Sequence, residues 1–188
     1  MIPRLLRKTT VKPTSVYERI IYSGEQFNSL YPLTKYKMIN RELKHFNMEY
    51  KLGLNTNKTK FLHSNSLIGL HFTDINNIFK YFYCGCYISK ISVANDAKIN
   101  VVNGLNSIIY VADSLIVDDI ILIENSMLWE NTDFCKCAVS YSPSNLQYIS
   151  EEYQTFDICL QAVQQNPFAI KYIKNKIIAH NVLMNIYN

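Results

Sequence analysis

Short apolar runs separated by polar turns occupy the chain up to about residue 125, a pattern typical of β-strands joined by tight connections. These runs predict strands over residues 20–22, 35–39, 67–72, 88–93, 99–102, 108–111 and 120–123. Residues 40–60 are more polar and contain Gly53, Asn55 and Asn57, so we interpret this stretch as a loop.

A helix is predicted directly after the strand at 67–72. Its apolar residues recur at the i, i+3, i+4, i+7 spacing of one helical face: Ile75, Ile78, Phe79 and Phe82. Thr73 or Asp74 would cap this helix, because a short side-chain oxygen can accept hydrogen bonds from the exposed amides of the first turn. Gly85 would end the helix.

The hydrophobic period becomes helical near Ser140. One apolar face comprises Leu146, Ile149 and Tyr153, and another comprises Phe156, Cys159, Leu160 and Val163. Asn166 and Pro167 are typical of an N-cap followed by proline at the first helical position, where the missing amide costs nothing.

The order of these elements predicts an α+β fold with a mostly antiparallel sheet. We divide the chain into a flexible basic arm at 1–14, an α+β module at 15–140 and a helical appendix at 141–188. The appendix is too small to bury a core by itself, so we expect it to pack on the module.

The composition is that of a folded protein, since 48% of the residues are hydrophobic. The five cysteines are an odd number and lack the spacing of a secreted disulfide framework, which favours a reducing compartment. The sequence contains no apolar run long enough to cross a membrane and no pattern of a secretory signal. We therefore expect no membrane partner.

The net charge of +4 is mild and is concentrated at the N-terminus. Arg4, Arg7, Lys8 and Lys12 lie within the first dozen residues. Such a run could contact the phosphates of RNA, or it could be a solvated terminal arm.

Several short motifs between residues 36 and 123 resemble a module of giant viruses of the Mimivirus type, which often precedes ankyrin repeats. The motifs are YKMI at 36–39, KHF at 44–46, YKLGLN at 50–55, GLHFTD at 69–74, KISV at 90–93 and DAKI at 96–99. Residues 156–172 resemble a second giant-virus element, a helical repeat of unknown function, in a single copy. The resemblance implies a viral protein acting in the host cytoplasm, at the viral factory, or in the virion.

The GLHFTD motif and the elements that follow it also resemble one branch of the ADP-ribosyltransferase fold. In that branch a tyrosine, here replaced by His71, stacks on nicotinamide, and a later glutamate polarises the ribose. Asp118, Asp119 and Glu124 are the candidates for this carboxylate. The resemblance implies three candidate binding residues: His71, Phe72 and Asp74.

Two Cys-x-Cys pairs could together supply four thiolates to a tetrahedral Zn²⁺. They are Cys84 with Cys86 and Cys135 with Cys137. One intervening residue places both thiols on the same side of a strand, a less common chelating spacing than two. We expect ordinary buried thiols and neither a metal nor another cofactor, with zinc and a redox role as alternatives.

Trp129, the only tryptophan, could anchor an interface, stack on a base or pack in the core. The histidines show no metal-ligand spacing, and the known phosphate-loop, serine-nucleophile and zinc-protease motifs are absent from the sequence. We therefore expect a non-enzymatic interaction or adaptor protein with a viral or host protein partner. The alternatives are an ADP-ribosyltransferase-like protein, active or degenerate, and an RNA-associated or translation-related factor.

Overall fold

The computed structural model describes residues 21–45, 47–57, 68–103 and 107–187, which form an α+β fold as predicted. An antiparallel nine-stranded sheet makes up the N-terminal part, and helices dominate the C-terminal part. The predicted arm at 1–14 lies outside the described residues, as does Leu67, the predicted first residue of one strand.

The strands of the sheet are β1 (Ile21–Ser23), β2 (Lys35–Ile39), β5 (Gly53–Thr56), β6 (Leu70–Asp74), β7 (Tyr87–Ser92), β8 (Lys98–Asn103), β9 (Ile108–Ala112), β10 (Ser114–Val117) and β11 (Ile121–Leu122). Their order in the sheet is β1-β8-β9-β6-β2-β7-β10-β5, with β11 beside β7. A separate hairpin pairs β3 (Lys44–His45) with β4 (Met48–Glu49). Helix α1 (Gly24–Leu30) follows β1.

The loop prediction for residues 40–60 was wrong, because β3, β4 and β5 lie within this stretch. Strand β10, which lies elsewhere in the chain, was not predicted. Asn55 was interpreted as a turn former, but its side chain is buried within β5. Its Oδ1 atom accepts from the Lys51 amide at 3.0 Å and its Nδ2 atom donates to the Lys51 carbonyl at 2.7 Å. These hydrogen bonds hold the turn that leads into β5, the strand that pairs with β10.

The helix predicted after β6 is a 3₁₀ helix, η1 (Ile78–Cys84), and it begins three residues later than expected. Asp74 is the last residue of β6, and its Oδ1 atom accepts from the Asn76 amide at 3.0 Å and from Asn77 Nδ2 at 2.9 Å. Asp74 therefore closes a turn before the helix and does not cap the helix itself. Gly85 follows the last residue of η1, as predicted.

The helical part begins well before the predicted change at Ser140. It comprises η2 (Ile123–Asn125), η3 (Met127–Glu130), α2 (Thr132–Tyr141), η4 (Pro143–Tyr148), η5 (Glu151–Tyr153), α3 (Phe156–Gln165), η6 (Pro167–Tyr172) and α4 (Lys176–Tyr187). Side-chain caps start several of these elements: Asn131 Oδ1 accepts from the Phe134 amide, and the predicted cap Asn166 accepts from the Phe168 amide. Capped helices thus occupy the segment between the last strand and Ser140, where the apolar pattern had predicted no helix.

Two hydrophobic clusters cover the two faces of the sheet. One contains Phe27 of α1 together with sheet residues such as Leu70 and Tyr110. The other joins Met38 and Ile88 of the sheet to the buried residues of the helices, which include Phe79, Trp129, Phe134, Val139, Ile158 and Val182. The C-terminal helices therefore share a continuous core with the sheet.

The centre of the sheet is forked. Strands β2 and β6 pair only at Lys35 with Asp74 and at Tyr36 with Thr73. Beyond this point β2 continues beside β7 as far as Ile39, whereas β6 continues beside β9. The two halves of the sheet therefore separate at Lys37, and we call this opening the fork.

Candidate functional site

A cavity of about 200 Å³ occupies the fork. Its walls are mostly apolar and aromatic, with a few polar groups among them. The described residues that line it are Tyr36, Lys37, Met38, His45, His71, Phe72, Thr73, Ile78, Tyr81, Tyr83, Cys84 and Ile109. An apolar cavity with a small number of polar groups is the usual form of a small-ligand site. We call it the fork cavity.

Lys37 brings a buried amine to the fork cavity. Alternation along β2 turns its side chain inward, where it is 2% exposed. Its Nζ atom donates to the His71 carbonyl at 2.7 Å and lies 3.0 Å from His45 Nδ1 and 4.3 Å from the centroid of the Tyr50 ring. Burial lowers the pKa of Lys37 to about 7, and the nearby Cys84 acts weakly in the opposite direction. The amine can therefore change its charge near neutral pH.

His45, in β3, is the second polar group of the fork cavity. Burial, together with the neighbouring Lys37 and His71, lowers its pKa to about 3. His45 is therefore neutral at physiological pH. Its ring meets that of His71 edge-on, with the centroids 6.1 Å apart. A protonated Lys37 has no acceptor, so His45 Nδ1 must accept in their hydrogen bond, which leaves the imidazole proton on Nε2.

The predicted binding residues fall into two groups. His71 and Phe72 line the fork cavity. Asp74 lies at the closed end of the fork and is buried. Its Oδ2 atom accepts from the Tyr110 hydroxyl at 2.9 Å, while Oδ1 holds the turn to η1. Asp74 thus fixes the end of the fork and does not itself line the cavity.

Trp129 does not lie where a ligand or partner could reach it. Its side chain is 3% exposed, and its Nε1 atom donates to the Ile123 carbonyl at 2.7 Å. The ring stacks on Tyr148, with the centroids 5.4 Å apart. The interpretation of Trp129 as an interface anchor or a base-stacking group therefore does not fit its position, and core packing explains the residue fully.

The strand interpretation of the second Cys-x-Cys pair was wrong, because both residues lie in α2. Two residues along an α-helix turn the chain by about 200°, so their side chains point apart. Cys135 is buried and donates to the Trp129 carbonyl at 3.1 Å, whereas Cys137 is exposed. Burial raises the pKa of Cys135 to about 11. Cys84 lines the fork cavity, and burial raises its pKa as well.

Within the described part of the chain, no group of three or more His, Cys, Asp or Glu side chains is arranged to hold a metal ion. The candidate carboxylates do not line the fork cavity, although Asp119 helps to raise the pKa of Tyr36, one of its wall residues, after the larger effect of burial. Asp118 accepts from the Ser92 hydroxyl and Asp119 from the Lys90 amide, each at 2.7 Å, so both organise the turn after β10. Glu124 is exposed on η2. Among the described residues lining the fork cavity, none is Asp or Glu.

Sequence reasoning missed Lys37 and His45. The signal for Lys37 was present in the strand KYKMI, where Lys35, Lys37 and Ile39 alternate with Tyr36 and Met38. If Ile39 faces the core, period-2 alternation turns Lys37 to the same side. No comparable local signal marked His45, which reaches the cavity through a two-residue strand within the supposed loop.

Comparison with known families gives one match. Residues 131–178 match DUF4116, a domain of unknown function, which covers about a quarter of the chain. The matched segment starts at the cap of α2 and ends inside α4. It contains the stretch 156–172 that resembled a helical element of unknown function. Neither the curated proteins nor the solved structures contain a match to the chain. No helix among the described residues is long and apolar enough to span a membrane.

Proposed function

We propose that this chain is a non-enzymatic interaction protein, an adaptor of a giant virus that acts in the cytoplasm of the infected host cell or in the virion. We propose further that the fork cavity is its recognition site. In this account a viral or host protein partner inserts one small group into the cavity, and the arrangement of polar groups there selects that group.

The observation that carries the proposal is the chemistry of the cavity wall. Lys37, His45 and His71 bring polar atoms into an otherwise apolar space, which provides specificity for a bound group. Glycosyl transfer needs a positioned carboxylate to stabilise the cationic sugar, and the described wall residues include none. The wall is therefore better suited to holding a group than to transferring a glycosyl group.

A variant that fills the cavity tests this proposal directly. Ile109 lines the cavity on β9 and is half-buried, so Ile109→Phe should occupy the space. Ile121, on β11, is equally half-buried but does not line the cavity, so Ile121→Phe is the matched control. Tagged proteins are used to capture partners from infected cells. We expect the wild type and Ile121→Phe to capture the same partner and Ile109→Phe to lose it. Equal capture by all three would reject the fork cavity as the recognition site.

An ADP-ribosyltransferase-like protein, active or degenerate, is the second candidate. The observation that favours it is the position of His71, which lies on the cavity wall where the resemblance requires a nicotinamide-stacking residue. An active enzyme would release nicotinamide from its dinucleotide, and the release would fall on mutation of Asp118, Asp119 or Glu124. The first proposal expects no release above the level of a heat-denatured sample.

A further inference from the structure

The size and shape of the fork cavity limit what it can hold. An engineered dry cavity of about 150 Å³ accommodates a benzene ring. At about 200 Å³, the fork cavity has room for one such ring with one small substituent. Aromatic residues, among them Tyr36, Phe72 and Tyr81, make up much of its wall, and they favour a planar apolar ring.

The positive charge of protonated Lys37 limits which substituent a ring bound in the fork cavity can carry. A lysine ammonium is strongly destabilised by burial unless a charge of opposite sign is close to it. The ion pair found among the described residues joins Lys44 to Glu42, both well exposed, and Lys37 takes part in none. Its partners are the neutral carbonyl of His71, the neutral ring of His45 and the face of Tyr50. Within the described residues, the amine thus has hydrogen-bond acceptors and no counter-charge.

A second polar group of the wall supports the same conclusion. The Tyr81 hydroxyl is buried, and it makes no hydrogen bond of normal geometry with a described residue. Burial raises the pKa of Tyr81, and the neighbouring Ser107 side chain acts in the opposite direction. A ligand with two acceptor oxygens would give this hydroxyl a partner as well as Lys37.

We propose that the fork cavity binds a planar aromatic ring that carries one carboxylate, with the carboxylate next to the Lys37 amine. The inference rests on the proposed function, because it names the chemical class of the group that the recognition site accepts. The ligand supplies the negative charge that the described surroundings of Lys37 lack, and the ring fills the apolar part of the cavity.

This inference predicts how affinity depends on pH. The titratable groups that face Lys37 are His45, His71, Cys84 and Tyr50. The pKa of His45 lies near 3, and that of Cys84 is raised above its usual range, so neither changes its charge between pH 5 and 7. The Lys37 pKa is about 7 in the free protein, and a bound carboxylate would raise it. Because a bound carboxylate holds the proton on Lys37, affinity should weaken by up to about tenfold per pH unit as the pH rises above 7.

Two isosteric probes test the inference, benzoate and its neutral amide, benzamide. Binding to the full chain is followed by ligand-observed NMR at pH 6. A charge-assisted hydrogen bond contributes about 1.5–3 kcal/mol, which corresponds to about tenfold or more in affinity. We expect benzoate to bind more tightly than benzamide by that factor. Lys37→Met should remove this preference, whereas Lys90→Met, which changes an exposed lysine outside the cavity, should keep it.

Ile109→Phe keeps the inference testable if Lys37→Met does not fold, since it blocks the cavity and leaves the amine in place. It should abolish benzoate binding. Three results would overturn the inference: no benzoate binding to the wild type, equal affinity for the two probes, or a preference for benzamide. The last result would favour the nicotinamide-like candidate.

If the benzoate test fails while partner capture still depends on an open cavity, the ligand class is wrong and the proposed function stands. If Ile109→Phe captures the partner normally, the proposed function itself is wrong.

Discussion

The Nζ atom of Lys37 donates a 2.7 Å hydrogen bond to the carbonyl of His71 across the point where β2 and β6 separate. One buried side chain therefore connects the two halves of a sheet whose strands stop pairing at that place. The same amine lies at the wall of the fork cavity, so the stability of the fork and the chemistry of the cavity depend on one group.

The first prediction concerns the stability of Lys37→Met as a function of pH. The folded-state pKa of Lys37 is about 7, well below its value in the unfolded chain. Between these two values the unfolded state binds more protons, so the wild type gains stability as the pH rises. Relative to the wild type, Lys37→Met should therefore gain the most unfolding free energy at pH 6, and this gain should shrink towards pH 10.

Chemical denaturation at several pH values measures this difference, and subtraction of the wild type cancels the tyrosines and cysteines common to both proteins. Lys90→Met, which changes an exposed lysine of β7, is the control and should show no such trend. A difference that is constant over the whole range would mean that Lys37 is not held in a buried site.

The second prediction concerns acid. His45 has a folded-state pKa of about 3, lowered mainly by burial, so the folded protein resists protonation there while the unfolded chain accepts the proton. The stability that depends on neutral His45 should be lost progressively as the pH falls from about 6.5 towards 3. His45→Phe should flatten the pH dependence of the melting temperature in this range. His180→Phe, at an exposed position of α4, should leave the dependence as in the wild type, and an equal slope in all three proteins would contradict the account.

The third prediction concerns Gln154, a buried amide in the helical part that is 1% exposed. Its Nε2 atom lies within hydrogen-bond distance of the carbonyls of Leu146, Ile149 and Tyr172, at 3.1, 3.2 and 2.9 Å. Its Oε1 atom accepts from the Lys174 amide at 2.8 Å. Gln154→Leu would remove the Gln154 partner of the Tyr172 carbonyl and of the Lys174 amide, whereas the Ile149 and Leu146 carbonyls each keep a second donor. It should lower the unfolding free energy by about 2–4 kcal/mol.

Gln165 provides the matched control for this measurement. It makes one hydrogen bond, to the Ser140 carbonyl at 2.9 Å, and it is exposed. Gln165→Leu should change the unfolding free energy by about 1 kcal/mol or less. Similar losses for the two variants would show that the buried network around Gln154 contributes little.

The fourth prediction is that a fragment of residues 142–188 does not fold alone. The buried residues of α3 and α4, such as Ile158 and Val182, lie in the same cluster as Phe79, Phe134 and Val139, which the fragment lacks. Its helices are short, so without this contact surface their formation is marginal in water. Circular dichroism should show little helix and no cooperative melt. A cooperative thermal transition would instead indicate an independent domain.

The contrast between Ile88 and Lys37 shows what could be predicted from the sequence. Ile88 begins a strand in which apolar residues recur among polar ones, and such patterns located most of the strands because burial of apolar surface dominates folding. Lys37 and Asn55 are polar residues inside the sheet, held there by tertiary hydrogen bonds that no local pattern encodes. The fork itself depends on where pairing between β2 and β6 stops. Beyond that point β2 follows β7 and β6 follows β9, and these pairings join strands that lie far apart in sequence.

The central claim is that the fork cavity binds a planar aromatic carboxylate. The most direct measurement is the methyl NMR spectrum of isoleucine-labelled protein during titration with benzoate. Ile78 and Ile109 line the cavity, whereas Ile121 lies on β11 outside it and Ile177 is exposed on α4. The account predicts that the methyl signals of Ile78 and Ile109 shift with saturation while those of Ile121 and Ile177 stay in place. Saturable shifts confined to Ile177, or no shift at any isoleucine, would contradict it.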